Sequence, residues 1–74
     1  MKQGEITPQA DDATRYTYEC PRGTIAIDVS ADGSSETSVC TDYHTSGARQ
    51  ARDIRDAERM HAAIMAEAAE DDRS

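Results

Sequence analysis

Three short segments of the chain alternate apolar and polar residues, which is the period-2 pattern of half-buried β-strands. In the first segment, Tyr16, Tyr18 and Cys20 alternate with polar residues. In the second, Ile25 and Ile27 lie on one face, and the third segment has a weaker pattern. The predicted strands are residues 14–20, 24–30 and 36–41.

The connections between these segments predict an antiparallel meander. Residues 21–22 (Pro-Arg) and 32–33 (Asp-Gly) are two-residue turn signals between strands. With such turns, Ile25 lies opposite both Tyr18 and Cys40. A bulge could instead shift the third strand by one residue relative to the second.

The two cysteines lie on the outer strands of this meander. A one-residue shift of the third strand would bury Val39 in place of Cys40. In either register Cys20 and Cys40 are two strands apart, about 10 Å, which is beyond disulfide reach. We therefore expect two free thiols and no disulfide.

The last third of the chain has helical periodicity, from Gly47 to Ala69. At about 100° per residue, an apolar stripe is centred on Ile54. The other members of the stripe are Gly47, Ala51, Ala57, Glu58, His61, Met65 and Ala68. The pattern therefore predicts one long amphipathic helix.

An arginine-rich face lies opposite this stripe. Arg52, Arg55 and Arg59 cluster there, interleaved with Asp53 and Asp56. Acidic and basic side chains three or four residues apart on a helix attract each other. The spacing predicts an exposed, salt-bridged face, with contact to phosphate or to an acidic protein as the alternative.

These elements predict an α+β fold, a three-stranded antiparallel meander followed by one long C-terminal helix packed on one face. A ββα core with a non-strand third segment is the alternative.

Residues 14–70 are expected to form the single domain. Residues 1–13 are expected to be an irregular, flexible arm, because Gly4 and Pro8 interrupt it. Residues 71–74 form an acidic tail that is expected to fray, because the helix dipole disfavours it.

Size and composition narrow the functions open to the chain. At 74 residues, with 36% hydrophobic residues and no Trp or Phe, it has too few large apolar side chains to enclose the deep pocket of most enzymes. We therefore expect no enzymatic activity and no cofactor. No apolar run approaches the roughly 18 residues of a membrane span, and the N-terminus lacks the apolar region of a signal peptide. A cytoplasmic location is expected.

The formal net charge of −7 is unevenly distributed. Residues 1–46 carry −5, residues 47–66 carry +1 and residues 67–74 carry −3. An acidic surface repels phosphate backbones and attracts basic partners. We therefore expect a larger protein with a basic surface as the partner, without direct binding of nucleic acid or membrane.

The candidate partner-binding residues lie on the helix end and on the acidic parts of the sheet. The predicted helix spans about 35 Å and a seven-residue strand about 23 Å, so the end of the helix should extend past the sheet. Apolar side chains exposed there would mark an interaction surface. The candidates are Met60, Ile64, Met65, Glu67, Glu70, Asp71, Asp28 and Glu36.

Two cysteines and two histidines are the candidate metal ligands. Cys20, Cys40, His44 and His61 could form a tetrahedral zinc site, although no CxxC or HxxxH pair occurs. The simpler interpretation is two buried thiols, a loop histidine at position 44, and a core-edge His61 that bonds a strand carbonyl. A nucleophilic Cys40–His44 pair lacks an orienting third group.

These features favour a non-enzymatic protein-interaction module, in concrete terms a small acidic inhibitor or adaptor that blocks a basic, nucleic-acid-handling surface. In size, charge and lack of catalytic motifs the chain is similar in kind to the small acidic phage proteins that inhibit host defence, such as anti-CRISPRs, although it shares no motif with them. That resemblance implies the host cytoplasm as its location. The alternatives are a homodimer or structural subunit that associates through the C-terminal helix, and a small zinc-stapled domain.

Overall fold

A four-stranded antiparallel sheet carries one long helix on one of its faces in the computed structural model of the chain. The structure describes the backbone of residues 1–73 and the side chains of residues 1–69. The elements are β1 (Lys2–Pro8), a short 3-10 turn (Ala10–Asp12), β2 (Thr14–Cys20), β3 (Gly23–Val29), β4 (Ser35–Val39) and α1 (Ala48–Arg73). The strand order is β1-β2-β3-β4, so the sheet is a meander.

The predicted α+β class is confirmed, but the sheet has four strands and not three. The additional strand is β1, in the N-terminal segment that the sequence predicted to be irregular. The register between β1 and β2 shifts between Gln3 and Ile6, so a bulge accommodates Gly4, where a Cβ would lie 2.6 Å from the Thr17 hydroxyl oxygen. Pro8 ends an edge strand, where proline is tolerated. A glycine and a proline therefore interrupt the pattern without preventing the strand.

The first predicted hairpin turn is confirmed. Cys20 pairs with Gly23, and Tyr18 pairs with Ile25. Gly23 has a φ of 143°, and a Cβ at this position would lie 2.6 Å from the Tyr43 Cα atom. The loop after β4 therefore packs directly on the start of β3, which only a glycine permits.

The second hairpin differs by one residue from the two-residue turn and has the alternative register, in which Val39 takes the place of Cys40. Ile25 pairs with Val39, not with Cys40, because the turn has three residues and not two. Gly33 has a φ of 92°, and its N–H donates to the Ser30 carbonyl at 3.0 Å, as in three-residue hairpin loops with a left-handed glycine. Val39 takes the helix-side position, yet it is 37% exposed because it lies on an edge strand.

The core lies between α1 and the sheet face of β2 and β3. Its buried hydrophobic cluster contains Tyr18, Ile25, Ile27, Tyr43 and Ala57. Half-buried side chains pack around this cluster: Tyr16, Cys20, Val29, Ile54, Met60 and Ile64. The opposite face of the sheet carries no second layer among the described residues.

The buried face of α1 is rotated relative to the prediction. The predicted stripe is centred on Ile54, which is half-buried, whereas Asp53 and Ala57 are 1% and 0% exposed. The side chains that face the sheet, Asp53, Ala57 and Ile64, are centred about 80° around the helix from Ile54. The periodicity misses this rotation because an aspartate is normally exposed, and here it is buried.

The helix runs along the sheet away from the β2–β3 turn. Near its start Asp53 contacts Arg22 in that turn, and further along His61 contacts Tyr18 and Tyr16 on β2. Because neighbouring strands are antiparallel, the β1–β2 loop and the β3–β4 hairpin lie together at the other end of the sheet. The C-terminal half of α1 points toward that end.

The helix α1 extends to Arg73. The predicted fraying of residues 71–74 stays a prediction, because these side chains are not described and Ser74 lies outside the described residues. Within residues 1–73, no helix is long and apolar enough to cross a membrane.

Candidate functional site

A buried carboxylate joins the start of α1 to the sheet. Asp53 accepts two hydrogen bonds from the Arg22 guanidinium, from Nε at 2.5 Å and from Nη2 at 2.6 Å. It also accepts a bond of 2.5 Å from the Tyr43 hydroxyl. These donors come from the β2–β3 turn and from the loop after β4. One side chain of the helix therefore fixes two loops.

The electrostatics of this cluster keep Asp53 ionised. The hydrogen bonds from Arg22 lower the pKa of Asp53 to about 2, against the opposing effect of burial. Burial and the bond to Asp53 raise the pKa of Tyr43 to about 12. The cluster is therefore an anionic carboxylate held by one cation and one neutral hydroxyl. Its groups are all satisfied, which indicates a structural anchor and not a reactive centre.

The arginine face of α1 is arranged differently from the prediction. Asp53 was expected among the exposed arginines, but it faces inward and pairs with Arg22. Among the described side chains, the ion pairs are Arg22–Asp53 and Arg15–Asp28, and neither uses an arginine of the helix. A surface hollow at the start of the helix is lined by Arg22, Arg49, Arg52, Asp53 and Asp56. This end of the molecule is therefore richer in cations than the rest.

His61 lies at the edge of the core, as the sequence predicted, but its partner is a hydroxyl and not a strand carbonyl. Its Nδ1 atom is hydrogen-bonded to the Tyr18 hydroxyl at 2.7 Å. The ring of Tyr16 meets the imidazole edge-on at 4.9 Å. Burial lowers the pKa of His61 and raises that of Tyr18, so both groups are held neutral.

The candidate zinc ligands are not brought together. Among the described residues there is no group of three or more His, Cys, Asp or Glu side chains that could hold a metal ion. Cys20 and Cys40 are both free, and the Cys20 thiol donates to the Gly23 carbonyl at 3.2 Å. Burial, followed by the charge of Asp42, raises the pKa of Cys40, which is opposite to what an activated thiolate requires.

The apolar residues proposed for partner binding are largely used by the fold. Met60 and Ile64 pack against the core cluster, and Met65 is also half-buried. Ile6, on the edge strand β1, is 51% exposed. The side chains of Glu70 and Asp71 lie outside the described set.

The two acidic candidates on the sheet lie side by side. Asp28 on β3 and Glu36 on β4 are directly opposite in the antiparallel register, on the face away from α1. Asp28 also accepts hydrogen bonds of 2.7 and 3.1 Å from Arg15, which lower its pKa. Glu36 is exposed and has no ion pair within the described residues.

Further acidic side chains lie at the same end of the molecule. Asp11 and Asp12 occupy the β1–β2 loop, and both have a φ near 60°. Asp32 lies in the β3–β4 hairpin, where the backbone N–H of Ser34 lowers its pKa. The last quarter of the helix adds Glu67. We call this group the acidic end: Asp11, Asp12, Asp28, Asp32, Glu36 and Glu67.

The acidic end combines residues that the sequence analysis named separately with others that it did not single out. Asp28, Glu36 and Glu67 were candidates, whereas the loop aspartates had no pattern to mark them. The buried Asp53 was also missed. The available signal was its helical spacing from the apolar residues Met60 and Ile64, at seven and eleven positions.

No family model, no curated protein and no solved structure matches the chain.

Proposed function

We propose that the chain is a small, acidic, non-enzymatic protein-interaction module. In this proposal it acts as an inhibitor or adaptor, similar in kind to phage anti-CRISPR proteins, and covers a basic nucleic-acid-handling surface of a larger host protein. The observation that carries the proposal is the acidic end, where the topology places carboxylates from two loops, two strands and the helix at the same end of the molecule. Arg15 is the one basic side chain placed among them in the described residues, and it is already paired with Asp28.

The acidic end has the physical properties of a charge-based docking surface. Three of its carboxylates, those of Asp28, Glu36 and Glu67, are carried by paired strands and a helix, so little backbone entropy is lost there when a partner binds. Clustered charge of one sign attracts an oppositely charged surface over about a Debye length and raises the association rate. The cation-rich start of the helix lies at the opposite end, so the molecule has a polarity that would orient it on a basic partner.

The test separates the acidic end from the overall negative charge. The immobilised protein captures partners from a lysate of the native host at low salt, and the captured protein is identified by mass spectrometry and purified. Its affinity is then measured for the wild type and for two variants with the same change in charge. Glu36→Gln/Glu67→Gln alters the acidic end, whereas Glu5→Gln/Glu19→Gln alters exposed glutamates outside it.

The proposal expects the acidic-end variant to bind about tenfold more weakly, because each removed charge contributes about 0.2–1 kcal/mol at a docking surface. The control variant should lose much less. The wild-type complex should weaken steeply with salt and be displaced by duplex DNA, since both compete for the basic surface. Equal losses for both variants, or a complex insensitive to salt, would overturn the proposal.

A further inference from the structure

The two edges of the sheet differ in how they are protected from pairing with another strand. β1 carries a bulge, a lysine at its start and a proline at its end, all of which discourage pairing. β4 has none of these, and its register with β3 is continuous from Ser35 to Val39. Its side chains include the β-branched Thr37 and the exposed Val39. β4 is therefore the less protected of the two edges, with Glu36 as its one charged residue.

The hydrogen bonds of the β3–β4 hairpin show which backbone groups of β4 are free. Cys40 N–H donates to the Thr24 carbonyl at 2.9 Å, and Ser30 N–H donates to the Ser34 carbonyl at 2.8 Å. In an antiparallel ladder, residue pairs that exchange backbone hydrogen bonds alternate with pairs whose N–H and C=O groups point away from each other. The two observed bonds mark the hydrogen-bonded pairs Thr24–Cys40 and Ser30–Ser34. The outward-facing residues are therefore Ser35, Thr37 and Val39. No strand among the described residues lies beyond them.

We propose that the β4 edge binds a second copy of this chain. The two β4 strands would pair antiparallel about a two-fold axis at Thr37, which joins the two sheets into one continuous sheet. Thr37 would then pair with Thr37 of the second copy, and Ser35 with Val39 of the second copy. This register uses every outward backbone group of the strand and forms about six backbone hydrogen bonds.

The side chains of β4 fit this register. Cross-strand threonine pairs are favourable in antiparallel sheets. The Thr37 hydroxyl donates to Glu58 Oε2 of its own chain at 3.3 Å, so the two Glu58 carboxylates would also lie near the axis and add to the charge repulsion. Val39, which is 37% exposed in the single chain, would be partly covered by the neighbouring strand. Glu36, the one charged residue of β4, would lie opposite Ser38 of the second copy and not opposite another glutamate. The two Glu36 side chains would be diagonal neighbours about 7–8 Å apart, so they repel each other only moderately.

This dimer is distinct from the helix-mediated one and does not depend on the proposed function. Its dependence on charge is opposite to that of a complex with a basic protein. Salt screens the repulsion between two chains of net charge −7, so the dimer should strengthen as salt rises. Glu36→Gln should strengthen the dimer about twofold to threefold, the Coulomb effect of one like-charged pair at that distance in water. The same substitution should weaken binding to a basic partner.

Sedimentation equilibrium of the purified chain at about 0.1 M and about 1 M salt tests the proposal. We expect a monomer–dimer equilibrium that shifts toward dimer at the higher salt. Thr37→Pro should abolish the dimer, because it removes an outward N–H and none of the bonds to β3. Thr37→Val retains that N–H and should still dimerise. A monomer under all conditions, or a dimer that survives Thr37→Pro, overturns the proposal.

Amide hydrogen exchange on the wild type decides the question even if Thr37→Pro fails to fold. The amides of Thr37 and Val39 point to solvent in the single chain, so they should exchange quickly at low concentration. In the dimer both amides are bonded, and their exchange should slow as concentration and salt increase. A dimer in which both amides still exchange quickly would place the interface elsewhere and refute pairing through β4.

Discussion

Replacing Asp53 with asparagine tests whether the buried carboxylate anchors the helix to the sheet. Asn has nearly the same shape as Asp, so the substitution removes the negative charge and one acceptor with little change in packing. An amide NH₂ group, which cannot accept a hydrogen bond, takes the place of one carboxylate oxygen. At Oδ2 it removes the bonds from Arg22 Nε and Tyr43, and at Oδ1 it removes the bond from Arg22 Nη2.

The expected cost follows from the contacts of Asp53. Breaking a buried ion pair costs about 3–5 kcal/mol when the remaining charge stays buried. Arg22 is 37% exposed, so water can solvate part of its charge after the substitution. Because solvation of Arg22 reduces this cost but charge-assisted bonds are also lost, we expect Asp53→Asn to lower the free energy of unfolding by about 2–3 kcal/mol. A domain of this size has only about 3–5 kcal/mol of stability in total, so the variant should be barely folded.

The same carboxylate predicts how stability depends on pH. The pKa of Asp53 is lowered from its ordinary 3.8 to about 2 in the folded chain, so the folded state favours the ionised form. Its contribution is fully present above about pH 4 and is lost as pH falls through about 2. The shift corresponds to about 2 kcal/mol. Asp28 and Asp32 shift in the same direction, so the comparison with Asp53→Asn isolates the part due to Asp53.

Urea unfolding followed by circular dichroism measures both effects. Asp56→Asn is the matched control, because it makes the same change on the same helix and no hydrogen bond to Asp56 is found among the described residues. The control should change the free energy of unfolding by less than about 0.5 kcal/mol. If Asp53→Asn costs less than about 1 kcal/mol, or loses stability between pH 4 and 2 as the wild type does, the anchoring role is refuted.

Two further predictions concern the packing of β2 and β3. Gly23→Ala should destabilise the fold by more than about 2 kcal/mol, because the new Cβ meets the Tyr43 backbone. The control Gly33→Ala places its Cβ in open space and should cost only about 1 kcal/mol. Equal costs of the two variants in thermal unfolding would contradict this prediction. Tyr18→Phe should cost about 1–2 kcal/mol in urea unfolding, because it leaves the half-buried His61 Nδ1 without its partner; no change would show that water replaces the hydroxyl.

The sequence predicted the elements that have a regular pattern. The strand Thr14–Cys20 and its turn to β3 were predicted with their observed bounds and pairing, because a two-residue alternation and a tight turn are local signals. The helix was predicted for the same reason. β1 was missed because its apolar residues do not alternate and the bulge at Gly4 interrupts its register. The second hairpin was displaced by one residue because Asp32-Gly33 fits both a two-residue and a three-residue loop.

The candidate site depended much more on tertiary structure. The sequence supplied the net charge and the acidic residues Asp28, Glu36 and Glu67, but the order of charges along the chain does not show where they lie in the fold. Only the antiparallel topology shows that the β1–β2 loop, the β3–β4 hairpin and the last part of the helix meet at one end. The free edge of β4 likewise required the hydrogen-bond register, since sequence alone does not say which strand is last in the sheet.

The chain by itself therefore determined its class, its long helix and its acidic character, because these follow from local periodicity and composition. Tertiary structure decided which charged residues are buried and which are available. Asp53 belongs to the helix face that sequence would leave in water, and it is buried because Arg22 and Tyr43, 31 and 10 residues away, converge on it. A buried charge is stable only when it is paired, and the partners of Asp53 are too far away in the sequence for a local pattern to indicate them.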